Sequence, residues 1–234
     1  HRCNRPAKRS MQPNHNRMVM CMISGSNINF APTRQTAGVV LAGGRATRMG
    51  GRDKGLLPIN GRPMIMYISE ILRPQVDSLF INANRNHAAY ARLTRCPLIS
   101  DRISDHVDHF AGPLAGMAAA LAYSPMPYLV AVPCDSPFLA HDLVSRLHRG
   151  LQAQQADIAM AMLGDKAQPV FALLSRHLLD SLVEFLEAGG RKIIHWYYQH
   201  KVAEVDFSDR APMFENINTP QEQARIEEQL RVAL

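Results

Sequence analysis

The sequence predicts an α/β fold, with a single domain built on an open, doubly wound and mostly parallel sheet. Short apolar runs alternate with longer helical patterns from residue 36 onward. These apolar runs are continuous rather than strictly alternating, which is typical of parallel strands covered on both faces. The chain has 234 residues, which is enough for one sizeable domain and short for two.

The elements of the first two thirds follow this rhythm. The apolar runs predict strands at 37–41, 78–82, 97–100, 128–132 and 158–163. The helical patterns between them lie at 64–72, 88–93, 113–123 and 141–154. Pro113 follows Gly112 and suits a first helical turn. This order of strands and helices favours helices on both faces of the sheet.

The last third is less regular. Its patterns predict a strand at 168–174, helices at 178–187 and 192–198, and an edge or antiparallel strand at 201–207. A final amphipathic helix runs to Leu230, with Thr219 as its cap and Pro220 in its first turn. We therefore expect an antiparallel element late in the chain.

The charge is unevenly distributed. The net charge of +6 lies in residues 1–35, which carry six basic residues and no acidic one. The rest of the chain has 20 basic residues against 20 acidic ones. We expect residues 1–35 to form a basic, disordered extension rather than a nucleic-acid contact. Residues 36–234 are then the folded domain.

The composition also bears on the cellular setting. Hydrophobic residues make up 47% and charged residues 20%, the balance of an ordinary globular protein. No apolar run approaches the roughly 20 residues that span a bilayer. The four cysteines form no CxxC pair and have no zinc-like spacing. These features favour a reduced, cytoplasmic protein without membrane contact.

The segment 41–54, LAGGRATRMGGRDK, carries the clearest chemical signal. It leaves the first strand at the carboxyl end of the sheet, where open α/β folds bind ligands. Its four glycines expose backbone N–H groups to phosphate oxygens. Its cations suit a polyanion; they are Arg45, Arg48, Arg52 and Lys54. The pattern favours phosphate binding over a mobile glycine loop, although neither a P-loop nor a GxGxxG register fits.

Asp135 follows the predicted strand 128–132 at the same edge. Mg²⁺ prefers one or two carboxylates together with substrate phosphates, so Asp135 is a candidate metal ligand. An aspartate in an Asp-Ser-Pro setting also suits a turn or a helix cap. The residues alone leave both interpretations open.

Several segments, in order, resemble the molybdenum cofactor guanylyltransferases, a branch of the nucleotidyltransferases that include enzymes acting on sugar phosphates. LAGG at 41–44 is followed by RMGG at 48–51 and by Asp53-Lys54. The other matching segments are NGRPM at 60–64, NANR at 82–85, Asp101, GPLAG at 112–116, PCDSP at 133–137 and NINTP at 216–220. The resemblance covers about residues 38 to 220 and implies a Rossmann-like fold of the nucleotide-diphospho-sugar transferase type.

The resemblance also implies roles for individual residues. Leu41, Ala42, Gly43 and Gly44 would bind the guanine nucleotide, Lys54 its phosphates, and Asn82 and Asp101 its base or ribose. Asp135 would bind Mg²⁺ and nucleotide, with Lys54, Arg48 and Asp135 as the catalytic group. Asn216 and Asn218 would line the acceptor pocket, although this run equally suits a helix start. Two alternatives remain for the nucleotide contacts. Asp101 could be a turn residue, and Asn82 could form hydrogen bonds with backbone groups at the end of its strand.

The implied reaction is transfer of GMP from Mg-GTP to the terminal phosphate of molybdopterin, with or without molybdenum, releasing pyrophosphate. The implied protein partners are other molybdenum cofactor biosynthesis proteins and apo-molybdoenzymes, in transient contact. The alternatives within enzymes are a cytidylyltransferase for the same acceptor and a sugar-phosphate nucleotidyltransferase. From a different class, the chain could be a non-catalytic nucleotide- or RNA-binding protein that uses its basic extension.

A few features fall outside this pattern. Gln168 stands where many family members have a histidine before proline, which puts that acceptor contact in doubt. His106 and His109 around Asp108 favour a polar loop over a metal site. Cys134 is more typical of a small packed residue than of a nucleophile. The run 196–198 (WYY) is more typical of core packing than of an aromatic stacking platform.

Overall fold

The structure is a computed structural model that describes residues 35–44, 53–101, 112–217 and 219–233. A seven-stranded sheet in the order β5-β4-β1-β6-β8-β7-β9 forms its centre, beside a small β2–β3 hairpin. The strands are β1 (Thr36–Leu41), β2 (Pro58–Ile59), β3 (Arg62–Pro63), β4 (Ser78–Asn82), β5 (Leu98–Ile99), β6 (Tyr128–Pro133), β7 (Ile158–Leu163), β8 (Lys166–Ser175) and β9 (Val202–Asp206).

Helices connect these strands on both faces. They are α1 (Met64–Leu72), α2 (His87–Thr94), α3 (Pro113–Tyr123), α4 (Leu143–Ala153), α5 (Leu179–Glu187), α6 (Ile193–Tyr197) and α7 (Pro220–Ala233). Short 3-10 helices lie at Lys54–Leu56, Arg73–Gln75, Arg176–Leu178 and Ser208–Phe214. Every strand and helix that the sequence predicts is present, with bounds that differ by at most three residues. None of these helices combines the length and apolarity that crossing a membrane needs, within the part of the chain described here.

The predicted mostly parallel sheet is confirmed. β5, β4, β1 and β6 are parallel neighbours, and β8 is the antiparallel element, paired with both β6 and β7. β8 must be antiparallel to β7 because a two-residue turn containing Gly164 joins them. β9 is the predicted edge strand, but it runs parallel to β7. The chain reaches β9 through α5 and α6, a crossover long enough for a parallel pair.

The sheet is buried on both faces, as a doubly wound fold requires. On one face α1, α4 and α7 pack on the sheet, and on the other α3, α5 and α6 do. Val39 and Val40, adjacent in β1, belong to opposite layers and are both fully buried. Trp196 and Tyr197 are also fully buried, which confirms the packing interpretation for these two side chains, whereas Tyr198 is exposed.

Local sequence chemistry explains how one helix begins and how one hairpin turns. Thr219 Oγ1 accepts a hydrogen bond from the backbone N–H of Glu222 (3.2 Å), and the Glu222 carboxylate accepts one from that of Thr219 (3.0 Å). This reciprocal capping box starts α7 as predicted. The hairpin β2–β3, which the sequence patterns did not predict as strands, turns on Asn60 and Gly61 with φ of 48° and 75°. An Asn-Gly pair is favoured there because both residues need positive φ.

α3 approaches the end of β4 so closely that one position has no room for a side chain. A Cβ placed on Gly116 would lie 2.4 Å from Asn82 Oδ1 and 2.7 Å from Leu41 Cδ2. The Asn82 side chain is held by a hydrogen bond from its Nδ2 to Asp101 (2.9 Å). It therefore cannot turn away without losing this bond.

We expect Gly116→Ala to destabilise the protein. Alanine gains up to about 1 kcal/mol of helix propensity over glycine, but overpacking against a fixed side chain costs about 1–3 kcal/mol. Urea unfolding should show a net loss of unfolding free energy. Ala122→Gly, at an exposed position of the same helix, measures the propensity difference alone. A Gly116→Ala protein more stable than wild type would contradict the close packing.

His148 lies in the layer between α4 and the amino-terminal end of the sheet. Its Nε2 is 2.7 Å from Thr36 Oγ1, and its ring meets the Tyr128 ring edge-on at 4.9 Å. Burial lowers the pKa of His148 below its ordinary value of 6.5, because the surroundings disfavour the charged imidazolium. The folded protein therefore binds a proton at His148 less readily than the unfolded chain does.

This burial predicts a pH-dependent stability. As pH falls through about 6.5, the unfolded chain binds more protons at this histidine than the folded chain does, so stability is lost as pH falls. Unfolding free energies measured in urea at pH 7.5 and 5.5 should differ less for His148→Gln than for wild type. His141→Gln, at an exposed position, should keep the wild-type difference. Equal pH dependence in wild type and His148→Gln would refute this assignment.

Candidate functional site

The carboxyl ends of β1, β4 and β6 meet at one edge of the sheet. Leu41 lies beside Asn82 of β4 on one side and Pro133 of β6 on the other. The Ala42 N–H donates to the Asn82 carbonyl (2.8 Å), and the Cys134 N–H donates to the Leu41 carbonyl (3.2 Å). The segments that follow these strands are therefore held side by side, as parallel strand order requires.

Lys54 and Asp135 form an ion pair at this edge. Lys54 Nζ lies 2.8 Å from Asp135 Oδ2, and the two side chains are 23% and 14% exposed. Lys54 begins a 3-10 helix after the glycine-rich segment, and Asp135 follows β6. The pair thus joins the two segments that the sequence marks as phosphate- and metal-binding. Its partial burial makes the attraction stronger than that of a solvated surface pair.

Asp53, directly before Lys54, is anchored to α2 on the other side. Its carboxylate accepts hydrogen bonds from the Tyr90 hydroxyl and from Asn86 Nδ2 (3.0 Å), and lies 3.6 Å from Arg85 Nε. A Cβ on Gly55 would lie 2.5 Å from the Tyr90 hydroxyl oxygen, so the chain passes tightly over this ring. The Asp-Lys pair of the motif marks the position of this anchor, but the residue pattern does not show that Asp53 bonds to Tyr90 and Asn86.

Burial raises the pKa of two side chains beside this anchor. The pKa of Tyr90 is raised by burial, then by Cys134 and by its hydrogen bond to Asp53. The pKa of Cys134 is raised by burial, then by the charges of Asp135 and Asp53. The thiol therefore stays protonated at neutral pH, and a protonated thiol is a poor nucleophile. This agrees with a packed role for Cys134.

A second polar cluster lies on the β4–β5 side of the edge. Asp101 Oδ1 accepts from Asn82 Nδ2 (2.9 Å), and Asp101 Oδ2 accepts from Asn84 Nδ2 (2.8 Å). Asn84 Oδ1 in turn accepts from the Asp101 backbone N–H (3.0 Å). Asn82 is only 3% exposed, whereas Asp101 is half-buried. The structure thus brings Asn82 and Asp101 together, with Asn84 as an added member that its place in NANR could have indicated.

Asn216 is hydrogen-bonded to Ser136, the residue after Asp135. Its Oδ1 accepts a hydrogen bond from Ser136 Oγ (2.8 Å). Gln168 lies near the start of β8, toward the edge where the parallel strand β6 ends. Several residues singled out in the sequence lie outside the described ranges: Arg45, Arg48, Arg52, His106, Asp108, His109, Asn218 and nearly all of 1–35.

Residues 38–203 match the family described as the MobA-like NTP transferase domain. A molybdenum cofactor guanylyltransferase of Cupriavidus necator is 50% identical over 187 residues, which cover 78% of this chain and 91% of the relative. One from Shewanella frigidimarina is 47% identical over 196 residues, covering 84% of this chain and 97% of the relative.

Among solved structures, the chain is similar to molybdopterin-guanine dinucleotide biosynthesis protein A of Archaeoglobus fulgidus. The TM-score is 0.67 at 22% identity, with 84% of this chain and 99% of that one covered. A CMP:2-keto-3-deoxy-manno-octonic acid synthetase complexed with CTP shares the fold, with a TM-score of 0.63 at 13% identity, covering 86% and 99% of the two chains. On the strength of the sequence matches, the chain belongs to the MobA-like NTP transferases and, within them, to the molybdenum cofactor guanylyltransferase family.

Proposed function

We propose that this protein transfers GMP from Mg-GTP to the terminal phosphate of molybdopterin, with or without molybdenum, and releases pyrophosphate. The Lys54–Asp135 pair, 2.8 Å apart at the carboxyl edge of the sheet, is the observation that carries the proposal. It sets a cation and a carboxylate beside the end of β1, where the family places the nucleotide. The names of the relatives, molybdenum cofactor guanylyltransferase, support the choice of donor and acceptor.

The donor nucleotide is proposed to lie along the backbone of 41–44. The Leu41 carbonyl and the Ala42 N–H form hydrogen bonds with Cys134 and Asn82, which fixes the backbone of these two residues. A Cβ on Gly44 would meet no described atom within 4 Å. Lys54 donates a hydrogen bond to Asp135 and brings a positive charge to this edge. In this proposal its ammonium group contacts a phosphate oxygen of the nucleotide.

Asp135 is the proposed holder of Mg²⁺. Among the described residues no three His, Cys, Asp or Glu side chains gather into a metal cluster. Mg²⁺ does not need such a cluster, because it keeps several waters and binds through one or two carboxylates and substrate phosphates. Asp135 offers a carboxylate of this kind at the edge. The bound ion would supply positive charge that offsets the negative charge of the phosphates.

Catalysis in this proposal rests on alignment and charge. The acceptor phosphate is largely ionised near neutral pH, since its second pKa is about 6, and a strong general base is unnecessary. The chain holds the two anions in line and lowers their repulsion. Lys54 is the described side chain placed to do so. Arg48 keeps its proposed catalytic role from the family motif.

The acceptor side is proposed to involve Asn216, Asn218 and Gln168. Asn216 is exposed and is held by Ser136, next to Asp135, so its Nδ2 can donate to an acceptor. Contacts with other cofactor biosynthesis proteins and apo-molybdoenzymes belong to the proposal, as does a cytoplasmic location. The buried cysteines Cys96 and Cys134, both free thiols, suit the reducing conditions of that compartment.

The donor can be tested directly. With Mg²⁺ and molybdopterin present, we expect pyrophosphate release from GTP and much less from CTP, measured with a coupled phosphate assay. Removing the metal with EDTA should abolish release, and an excess of Mg²⁺ should restore it. A preference for CTP would replace the proposed function with that of a cytidylyltransferase.

Asp135→Ala should reduce transfer by at least about a hundredfold, the typical cost of losing one group that stabilises charge in a transition state. Turnover with GTP and molybdopterin measures this, and circular dichroism checks that the fold remains. Asp180→Asn removes a carboxylate at an exposed position of α5 and serves as the matched control, with turnover unchanged. An Asp135→Ala enzyme with wild-type turnover would remove this residue from the mechanism.

A further inference from the structure

We propose that Asn84 is a positioning residue for base selectivity: it holds the Asp101 carboxylate in the orientation that accepts the N1–H and 2-amino hydrogens of guanine. This inference rests on the proposed function, since it concerns how the donor GTP is chosen over other nucleotides. Asn84 itself is assigned no contact with the base.

Asn84 forms two hydrogen bonds with Asp101. Its Nδ2 donates to Asp101 Oδ2 (2.8 Å), and its Oδ1 accepts from the Asp101 backbone N–H (3.0 Å). These bonds fix the backbone and the carboxylate of the same residue, so the carboxyl plane cannot rotate freely. Asn82 Nδ2 holds the other oxygen, Oδ1, at 2.9 Å. Hydrogen bonds to an ionised acceptor are about twice as strong as neutral ones.

The fixed carboxylate retains capacity to bind a ligand. An ionised carboxylate has about four lone-pair sites, and the two asparagines use one on each oxygen. Asp101 and Asn84 are both half-buried, whereas Asn82 is 3% exposed. Asn84 uses its Nδ2 and its Oδ1 on Asp101, so we assign the contact with the base to the remaining lone pairs of Asp101.

Guanine complements such a group. Its N1–H and 2-amino group are adjacent donors on one edge, and they match the two acceptor oxygens of a carboxylate. The corresponding edge of cytosine carries acceptors at O2 and N3, which a carboxylate repels. A site that leaves a buried polar group unpaired with the wrong ligand discriminates strongly.

The position of the cluster suits the base end of a nucleotide. Asp101 follows β5 and Asp135 follows β6, three strand spacings apart in the order β5-β4-β1-β6, or roughly 14 Å. Between them, a Cβ on Gly43 would lie 3.1 Å from Asn84 Nδ2 and 3.4 Å from Asn82 Oδ1. The glycine segment thus abuts the cluster, and a nucleotide with phosphates near Lys54 has its base directed toward Asp101.

The test compares GTP with inosine triphosphate, which lacks the 2-amino group, and with 2′-deoxy-GTP, which lacks a ribose hydroxyl. Wild-type enzyme should discriminate against inosine triphosphate in kcat/KM by about tenfold, the worth of one hydrogen bond to a charged group. In Asn84→Ala this discrimination should largely vanish, with the loss for GTP appearing mainly in KM. The penalty for 2′-deoxy-GTP should stay at its wild-type value.

Two further variants complete the experiment. Asn84→Asp keeps the size of the side chain, and so preserves the packing, but it places a second carboxylate beside that of Asp101. This variant should lose the preference for GTP over inosine triphosphate. Asn86→Ala removes an amide that bonds to Asp53 and not to Asp101, and it should keep the wild-type ratio of GTP to inosine triphosphate. These ratios are independent of the fraction of enzyme that is folded.

Unchanged discrimination against inosine triphosphate in Asn84→Ala and Asn84→Asp would overturn the inference and leave the guanylyltransferase function intact. A change confined to 2′-deoxy-GTP would also overturn it, because Asp101 would then serve the ribose. If wild-type enzyme transfers CMP instead of GMP, the proposed function fails, and this inference fails with it.

Discussion

The ion pair between Lys54 and Asp135 is the constraint around which the candidate site is organised. It links residues 81 positions apart in sequence, and it forms at the edge where the carboxyl ends of the parallel neighbours β1 and β6 lie side by side. The register Leu41 to Pro133 sets the start of both following segments. In the absence of substrate, Lys54 and Asp135 neutralise each other's charge. This edge of the sheet can therefore hold a partly buried cation and anion before a polyphosphate binds.

The segment after β4 ties the two halves of this edge together. Asn84 holds Asp101 on one side, while Arg85 and Asn86 hold Asp53 on the other. Asp53 immediately precedes Lys54, so the three consecutive residues 84–86 of one loop contact both the proposed base end and the proposed phosphate end. Side chains restrained by neighbouring hydrogen bonds are better preorganised for binding than side chains in solvent. Gly43 and Gly116 have no side chain, and this leaves room for the side chains of Asn82 and Asn84.

Much of the fold could be predicted because local chemistry and global topology agree. Continuous apolar runs marked the buried strands, and Thr219 with Glu222 marked the start of α7. The direction of β9 could not be predicted, since an exposed alternating strand pairs equally well either way and the crossover before it decides. The motifs also indicated Lys54, Asp101 and Asp135. The NANR segment marks the position of Asn84, but its hydrogen bonds to Asp101, like that of Tyr90 to Asp53, depend on packing between elements, which the residue pattern does not encode.

β8 is the strand that separates the two parallel parts of the sheet, and its late place in the chain affects the order of assembly. The strands β1, β4, β5 and β6 are all complete by residue 133, whereas β8 begins at residue 166. During synthesis, the outer edge of β6 therefore lacks its native neighbour while the ribosome adds about thirty more residues. An unpaired edge of this kind invites pairing with other chains. We expect the exposed edge of β6 to be most open to pairing with other chains in the interval after β6 has left the ribosome and before β8 covers it.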